Sequence, residues 1–154
     1  MPPVTNRPML VDVNVPTYAA GASHSYKEAC AWIMAEIAVR RINAAIDAAV
    51  IQEILYRYGA LQRREIAATV ATSLLDLAPT VYPVQEGNAR PAVALFSRYA
   101  PLGVMVRDLI HVAVMLNNGL ARTISTDKHF DRIERIGRID PQRLYDEARH
   151  APDR

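Results

Sequence analysis

The feature of this sequence that most constrains its fold is the alternation of short apolar runs with longer segments of helical periodicity. Residues 9–13 and 121–126 have the length and composition of buried strands, whereas 26–39 and 61–77 carry apolar residues at helical spacing. Strands that alternate with helices predict βαβ units and a mainly parallel sheet that is covered on both faces. We therefore expect an α/β domain of three layers, α/β/α.

The length of 154 residues suits one domain, because a chain of this size buries most of its unfolded surface in a single core. Residues 1–8 contain three prolines and predict a loose leader, which leaves 9–154 as the domain. An apolar fraction of 51% excludes a disordered chain, and a net charge of +2 is too small to require a nucleic-acid partner by bulk charge.

Cysteine content and hydropathy give expectations about the compartment. Cys30 has no second cysteine with which to form a disulfide within the chain, so a reducing cytoplasm is the expected location. No apolar run approaches the length that spans a bilayer, and the first residues do not resemble a signal peptide. We expect a cytoplasmic protein without a membrane partner.

Three further segments are predicted as two strands and a helix. Residues 42–48 are predicted as the second strand and 136–139 as the last strand. Residues 89–99 predict a helix in which Pro91 is tolerated only because it falls in the first turn.

Four acidic residues lie beside apolar residues in the sequence, and two of them lie at the predicted edge of the sheet where ligands bind. Two of them follow predicted strands, one opens the most apolar helix and one lies in the helix after the second strand: Asp12, Asp127, Asp108 and Glu53. Ligands bind outside the carboxyl ends of parallel strands, and a carboxylate among apolar residues needs a partner because an unpaired buried charge is costly. Singly, each acid has an ordinary explanation as a helix cap, a solvated group or the partner of an arginine. Together they predict a site for Mg²⁺ or Mn²⁺, whereas the scattered histidines disfavour zinc.

The segments around these acids resemble the motifs of PIN-domain ribonucleases, and most closely those of the VapC-like toxins of bacterial toxin–antitoxin pairs. The resemblance runs from about Met9 to Ile139, and the motifs occur in the family's order and spacing. No single motif is specific, so their ordered combination carries the resemblance. The four motifs are Asp12-Val13-Asn14, the apolar run 49–56 around Glu53, Arg107-Asp108-Leu109-Ile110-His111-Val112-Ala113, and Ser125-Thr126-Asp127-Lys128-His129-Phe130.

The resemblance implies a PIN-like fold and a divalent-metal-dependent endoribonuclease in which the four acids hold Mg²⁺ or Mn²⁺. Asn14 and Ser125 match polar helpers that hydrogen-bond the carboxylates or the attacking water. Asp131 lies four residues after Asp127 and is expected as an outer acid. The chain departs from the family at Pro16, which leaves the geometry at the start of the next helix open.

The same resemblance implies partners. The substrate would be RNA, and a cognate antitoxin would cover the groove and aim an arginine at the four acids. The family pairs through its early helices, so we expect a homodimer in which Trp32, Ile33 and Ile37 supply apolar surface beyond what one core needs.

Two other functions are weighed against the nuclease. A haloacid-dehalogenase-like phosphatase would use Asp12 as nucleophile and bind Mg²⁺ with Asp127 and Asp131, but Asn14 stands where that chemistry needs a general acid. A non-catalytic nucleic-acid-binding module is the third possibility, and the presence of all four acids argues against it. The identity of the RNA target does not follow from one sequence.

Four other residues or pairs receive a structural or a binding role. His111 is expected as a hydrogen-bonded core residue rather than a metal ligand, and Cys30 as a core residue. The arginine pairs 40–41 and 63–64 are solvated positions that are also candidates for RNA contacts.

Overall fold

A computed structural model describes residues 7–151 as a sheet of five strands with seven α-helices around it. The strands are β1 Met9–Val11, β2 Ala44–Asp47, β3 Thr80–Tyr82, β4 Arg122–Ile124 and β5 Gly137–Ile139. The helices are α1 Asn14–Ala20, α2 Lys27–Ala38, α3 Ala48–Ala60, α4 Arg64–Leu77, α5 Glu86–Tyr99, α6 Val106–Asn117 and α7 Pro141–His150. Short 3-10 turns span Ala100–Leu102 and Lys128–Arg132.

All neighbouring strands run parallel, in the order β3-β2-β1-β4-β5. The central strand β1 pairs with β2 on one side and with β4 on the other, in a register that sets Val11 opposite Ile124. The segments that follow β1 and β4 therefore emerge side by side at the carboxyl edge of the sheet. The prediction that Asp12 and Asp127 follow adjacent central strands is confirmed.

The two faces of the sheet support separate apolar clusters, because successive side chains of a strand point to opposite faces. Val11 joins the cluster that packs under α1, α2, α3 and α4. Its neighbour Leu10 joins the second cluster, which contains Tyr99 at the end of α5, Leu109 of α6 and Phe130. The predicted three-layer α/β/α fold is confirmed.

Pro16 fits the start of α1 without breaking it. It is the third residue of that helix, where a backbone N–H has no acceptor in the preceding turn, so the missing donor costs nothing. The Thr17 hydroxyl donates to the carbonyl oxygen of Val13 at 2.7 Å and adds a contact across the first turn.

Pro91 does not lie in a first turn, and the prediction for α5 is wrong on this point. The helix begins at Glu86, so Pro91 is its sixth residue and the carbonyl of Gly87 loses the amide that would normally bond to it. The side chain of Asn117, at the end of α6, donates to this Gly87 oxygen at 2.8 Å. An interhelical hydrogen bond thus replaces the bond that proline removes.

The apolar residues of α2 do not form the spare surface that was expected for a dimer. Ile33 and Ile37 are buried within the core of the chain, because α2 packs its apolar face against the sheet. Trp32 is half-buried, with its ring 5.6 Å from that of Tyr145 on α7. Cys30 is buried, as predicted.

The N-terminal segment is described from residue 7 onward. Most of the predicted leader, residues 1–8, lies outside the described residues, and Arg7 donates to the carbonyl oxygen of Gly119 at 2.8 Å. Among residues 7–151, no helix combines the length and the hydropathy that crossing a membrane requires.

We expect Asn117→Ala to lower the free energy of unfolding by about 1 kcal/mol, because the Gly87 carbonyl then loses its protein partner. In a Pro91→Ala background, residue 91 regains an amide that can bond to Gly87, and the same substitution should cost much less. Urea unfolding of the four proteins measures this coupling. Equal costs in both backgrounds would contradict the exchange of one bond for the other.

Candidate metal centre

Asp12 is fixed at the carboxyl end of β1 by three donors. Its Oδ2 accepts from the Ser125 hydroxyl at 2.6 Å and from the Asn14 amide at 3.1 Å, and its Oδ1 accepts from the Val13 N–H at 2.8 Å. The side chain is buried, and burial raises the pKa of Asp12, although the Ser125 hydrogen bond acts in the opposite direction. The result is a buried carboxyl group whose orientation is set by its neighbours.

Ser125 and Asn14 join the ends of the two central strands. Besides its bond to Asp12, the Ser125 hydroxyl accepts from the Asp127 N–H at 3.0 Å. The Asn14 side chain contacts the Ser125 hydroxyl at 3.3 Å and accepts from the Thr126 N–H at 3.3 Å. One hydroxyl therefore bridges the Asp12 carboxylate and the backbone of Asp127, which brings these two acids to the same point.

Asp127 also has the ordinary structural role that was weighed for it. Its Oδ1 accepts from the N–H of His129 at 2.9 Å and lies 2.8 Å from the ring Nδ1 of the same residue, so it caps the short turn that follows β4. About a quarter of the Asp127 side chain is exposed, 27%. The carboxylate thus faces both the turn and the edge of the sheet.

Asp108 lacks the cap role that was its alternative explanation. The N-cap of α6 is Met105, and Asp108 lies in the first turn with 4% of its surface exposed. Its Oδ2 is buried and has no hydrogen-bond partner among residues 7–151. Burial and the negative charges of Asp12 and Asp127 raise the pKa of Asp108 to about 7. Burying such a charged oxygen costs folding free energy unless a cation neutralises it.

Glu53 is held from the opposite side by a histidine. On α3, its Oε1 lies 2.6 Å from Nε2 of His111, a buried residue of α6. Nδ1 of the same ring lies 2.5 Å from Oδ2 of Asp47, the last residue of β2. The prediction that His111 is a hydrogen-bonded core residue is confirmed.

Asp47 is the buried acid that sequence reasoning missed. It has no exposed surface, and its Oδ1 caps α3 by accepting from the Val50 N–H at 3.1 Å. The signal that identified Asp12 and Asp127, an acid at the end of an apolar strand, is present here as well. The predicted strand ran to residue 48, so Asp47 was placed inside the strand instead of at its end.

Acids from four elements therefore converge at the carboxyl edge of the sheet. One atom from each of Asp12, Glu53 and His111 lies within 4.8 Å of the other two. In this structure both ring nitrogens of His111 are engaged by carboxylate oxygens, which leaves the carboxylates as the groups available to an ion. The oxygens of Asp12 and Glu53, together with the buried Asp108 oxygen that has no partner among residues 7–151, fit a hard divalent cation.

Asp131 is not among these hydrogen-bonded acids. Its carboxylate forms a bidentate pair with the guanidinium of Arg138 on β5, at 3.0 and 3.2 Å. Arg138 also donates to the carbonyl oxygen of Ser125 at 3.1 Å. The Arg138 guanidinium therefore links Asp131 to the backbone of Ser125. A direct role of the Asp131 carboxylate at the metal centre stays a prediction.

A groove of about 520 Å³ opens beside Glu53 between α3 and the start of α6. Arg57 and Arg107 line it together with Tyr56, which is 79% exposed. The arginine pairs singled out from the sequence lie elsewhere: Arg41 pairs with Glu36, and residues 63–64 line a separate hollow between α3 and α4. From the sequence, Arg57 is a candidate for stacking on bases or for packing in a dimer, together with Tyr56 and Tyr58. Sequence reasoning missed Arg107 because it is a single cation that only the fold brings beside Arg57.

The sequence that carries these acids matches the model of a known protein family. The model of the PIN domain family matches residues 9–136, a segment that contains all four acids. The chain belongs to the PIN-domain family.

Relatives and solved structures of PIN-domain proteins agree with this assignment. Ribonuclease VapC13 of Mycobacterium tuberculosis is 32% identical over 131 residues, which are 85% of this chain and 98% of that protein. The crystal structure of Mycobacterium tuberculosis VapC20, a sarcin-ricin loop cleaving toxin, is 15% identical, with a TM-score of 0.67 over 80% of this chain and 93% of that one. VapBC2 from Rickettsia felis, bound to a DNA fragment from its promoter, is 13% identical, with a TM-score of 0.64 over 86% of this chain and 98% of that chain. These findings support the nuclease prediction, and none of them supports the phosphatase alternative.

The convergence of negative charge predicts that this PIN domain, free of metal, is stabilised by Asp108→Asn. Because the folded-state pKa of Asp108 is raised above that of an unfolded chain, its ionisation costs folding free energy that grows as the pH rises from about 4 and is fully present above about pH 7. We expect a gain of about 2 kcal/mol, or roughly 6 °C in Tm, at pH 8 in EDTA. The gain should shrink as the pH falls through 7 and vanish below about pH 4, where the parent carboxyl group is protonated in both states.

Asp76→Asn, at an exposed position on α4, is the matched control and should leave Tm unchanged at both pH values. Thermal unfolding followed by circular dichroism provides the measurement. An Asp108→Asn protein less stable than the parent at pH 8 would show that the acids are not in mutual repulsion.

Proposed function

We propose that this chain is a divalent-metal-dependent endoribonuclease and the toxin of a toxin–antitoxin pair. The observation that carries the proposal is the buried, unpartnered Asp108 oxygen beside Asp12 and Asp127, at the ligand-binding edge of a PIN-domain sheet. Support also comes from relatives such as ribonuclease VapC13, which cover 85% of the chain.

The residues that would hold the metal are Asp12, Asp108, Asp127 and Glu53. A bound Mg²⁺ or Mn²⁺ would supply an activated water and offset the charge of the scissile phosphate. Ser125 and Asn14 keep one oxygen of Asp12 occupied by donors, so that the carboxylate cannot rotate freely. The fixed orientation lowers the cost of assembling the ligands around the ion.

The groove beside Glu53 is the proposed path of the RNA strand. Arg57 and Arg107 line it and attract phosphates, which the acids alone would repel. The exposed ring of Tyr56 offers a face on which an unpaired base can stack. Cations therefore flank a negative centre, an arrangement that suits a polyanion bound through a metal ion.

The antitoxin partner is proposed to act on the same centre. A guanidinium from its tail would bind the carboxylates bidentately and compete with the metal for their oxygens. Both the substrate and this partner are made in the cytoplasm, where we place the protein. A toxin–antitoxin complex from Klebsiella pneumoniae shares the fold of this chain, with a TM-score of 0.59, which supports such a partner.

A homodimer remains part of the proposal, although α2 does not supply its surface. Ile33 and Ile37 are core residues of the single chain. Exposed apolar side chains lie instead on α5 and at the start of α6, where Val93 is 67%, Phe96 47% and Val106 57% exposed. This face is the one that a second copy would cover.

The nuclease proposal is tested by cleavage of a mixed RNA substrate in Mn²⁺. We expect Asp12→Asn and Asp108→Asn to lower the cleavage rate at least 100-fold while the fold is retained, because each removes a charged oxygen from the metal centre. Asp76→Asn should cut at the parent rate. A parent protein that binds RNA without cutting it in any divalent ion would support the non-catalytic module instead.

The toxin proposal is tested in cells. Expression of the parent should arrest growth, and expression of Asp108→Asn to the same level should not, because only the parent cleaves RNA. Co-expression of the protein encoded beside it should restore growth. Harmless expression of a parent enzyme that is active after purification would refute the toxin assignment and leave the nuclease intact.

A further inference from the structure

The buried chain of Asp47, His111 and Glu53 is not explained by the four acids alone. Both ring nitrogens of His111 face carboxylate oxygens, at 2.5 Å from Asp47 and 2.6 Å from Glu53. The ring is therefore held at both nitrogens, which fixes its orientation between the two carboxylates.

Asp47 anchors this chain to the sheet. It ends β2, a strand paired on both sides, and it has no exposed surface. Its second oxygen is engaged by the Val50 N–H at the start of α3, so the carboxylate cannot turn away from His111. The His111 ring therefore occupies a fixed position relative to the strands that carry Asp12 and Asp127.

Glu53 is the acid that most needs such support. Asp12 and Asp127 emerge directly from strands or the turns after them, whereas Glu53 reaches the centre on a long side chain from a helix. Its side chain is 14% exposed and borders the open groove. It also repels Asp12, since its charge raises the pKa of that residue. Without the contact to His111, the Glu53 side chain would be free to turn toward solvent and away from Asp12.

We propose that His111, anchored by Asp47, is a positioning residue that holds Glu53 within the metal centre and thereby sets the affinity of that centre for a divalent ion. This inference rests on the proposed function, because it assigns the role through the metal. His111 itself touches neither the ion nor the RNA.

Calorimetric titration of the metal-free protein with Mn²⁺ tests the inference without reference to cleavage. We expect His111→Gln to weaken Mn²⁺ binding by about 10- to 100-fold, since loss of a partner behind a ligand has effects of that size. Asp47→Asn keeps the cap on α3 and serves as a second variant if His111→Gln does not fold. It should weaken Mn²⁺ binding by a smaller factor.

Val112→Ala is the control for a merely structural role. Val112 is the next residue of α6 and is buried in the apolar cluster that contains Leu10 and Phe130. This variant should lower Tm and leave Mn²⁺ affinity at the parent value.

The outcomes separate this inference from the nuclease proposal. A folded His111→Gln protein that binds Mn²⁺ as tightly as the parent overturns the positioning role, and cleavage by the parent still supports the nuclease. A parent that binds Mn²⁺ more tightly than His111→Gln but cuts no RNA supports the positioning role and refutes the nuclease. Equal losses of affinity in Val112→Ala and His111→Gln would also overturn the inference.

Discussion

The repulsion among carboxylates at one edge of the sheet is the constraint on which the rest of the site depends. Parallel pairing of β1 with β4 brings Asp12 and Asp127 together, and the packing of α6 adds a buried Asp108. The fold offsets this repulsion locally, with hydroxyl, amide and backbone donors on Asp12 and the His111 ring on Glu53. Among residues 7–151 no donor reaches the Oδ2 of Asp108, so this is the point at which a bound cation would offset the charge.

The layered fold was predictable because it depends on periodicity and on where apolar runs stop. Strands that alternate with helices permit few arrangements, and the acid after β1 marks the carboxyl edge. The interior of α5 was not predictable in this way. Whether Pro91 interrupts a helix depends on Asn117, a partner 26 positions along the chain, and no local rule relates the two. Prediction fails here because the compensation is tertiary.

The residues of the metal centre also divide into those that the sequence indicated and those that only the tertiary structure reveals. Asp12 and Asp127 follow predicted strands, which indicated that they would lie close together. Asn14 and Ser125 were implied by the resemblance to the PIN-domain motifs. Trp32, Ile33 and Ile37 misled because an apolar side chain is equally suited to a core and to an interface, and the packing of α2 on the sheet decides between them. Asp47 was overlooked since its importance lies in a hydrogen bond to a residue 64 positions away.

The position of β1 in the middle of the sheet has a consequence for synthesis of the chain. Its first partner, β2, is made soon after it, but the other edge of β1 stays unpaired until β4, more than 100 residues later. Ribosomes make the N-terminal part first, so Asp12 has neither Ser125 nor Asp127 beside it through most of translation. The four acids cannot meet on a nascent chain that ends before Asp127. Any activity that requires all of them begins only after β4 and the turn that follows it have been made.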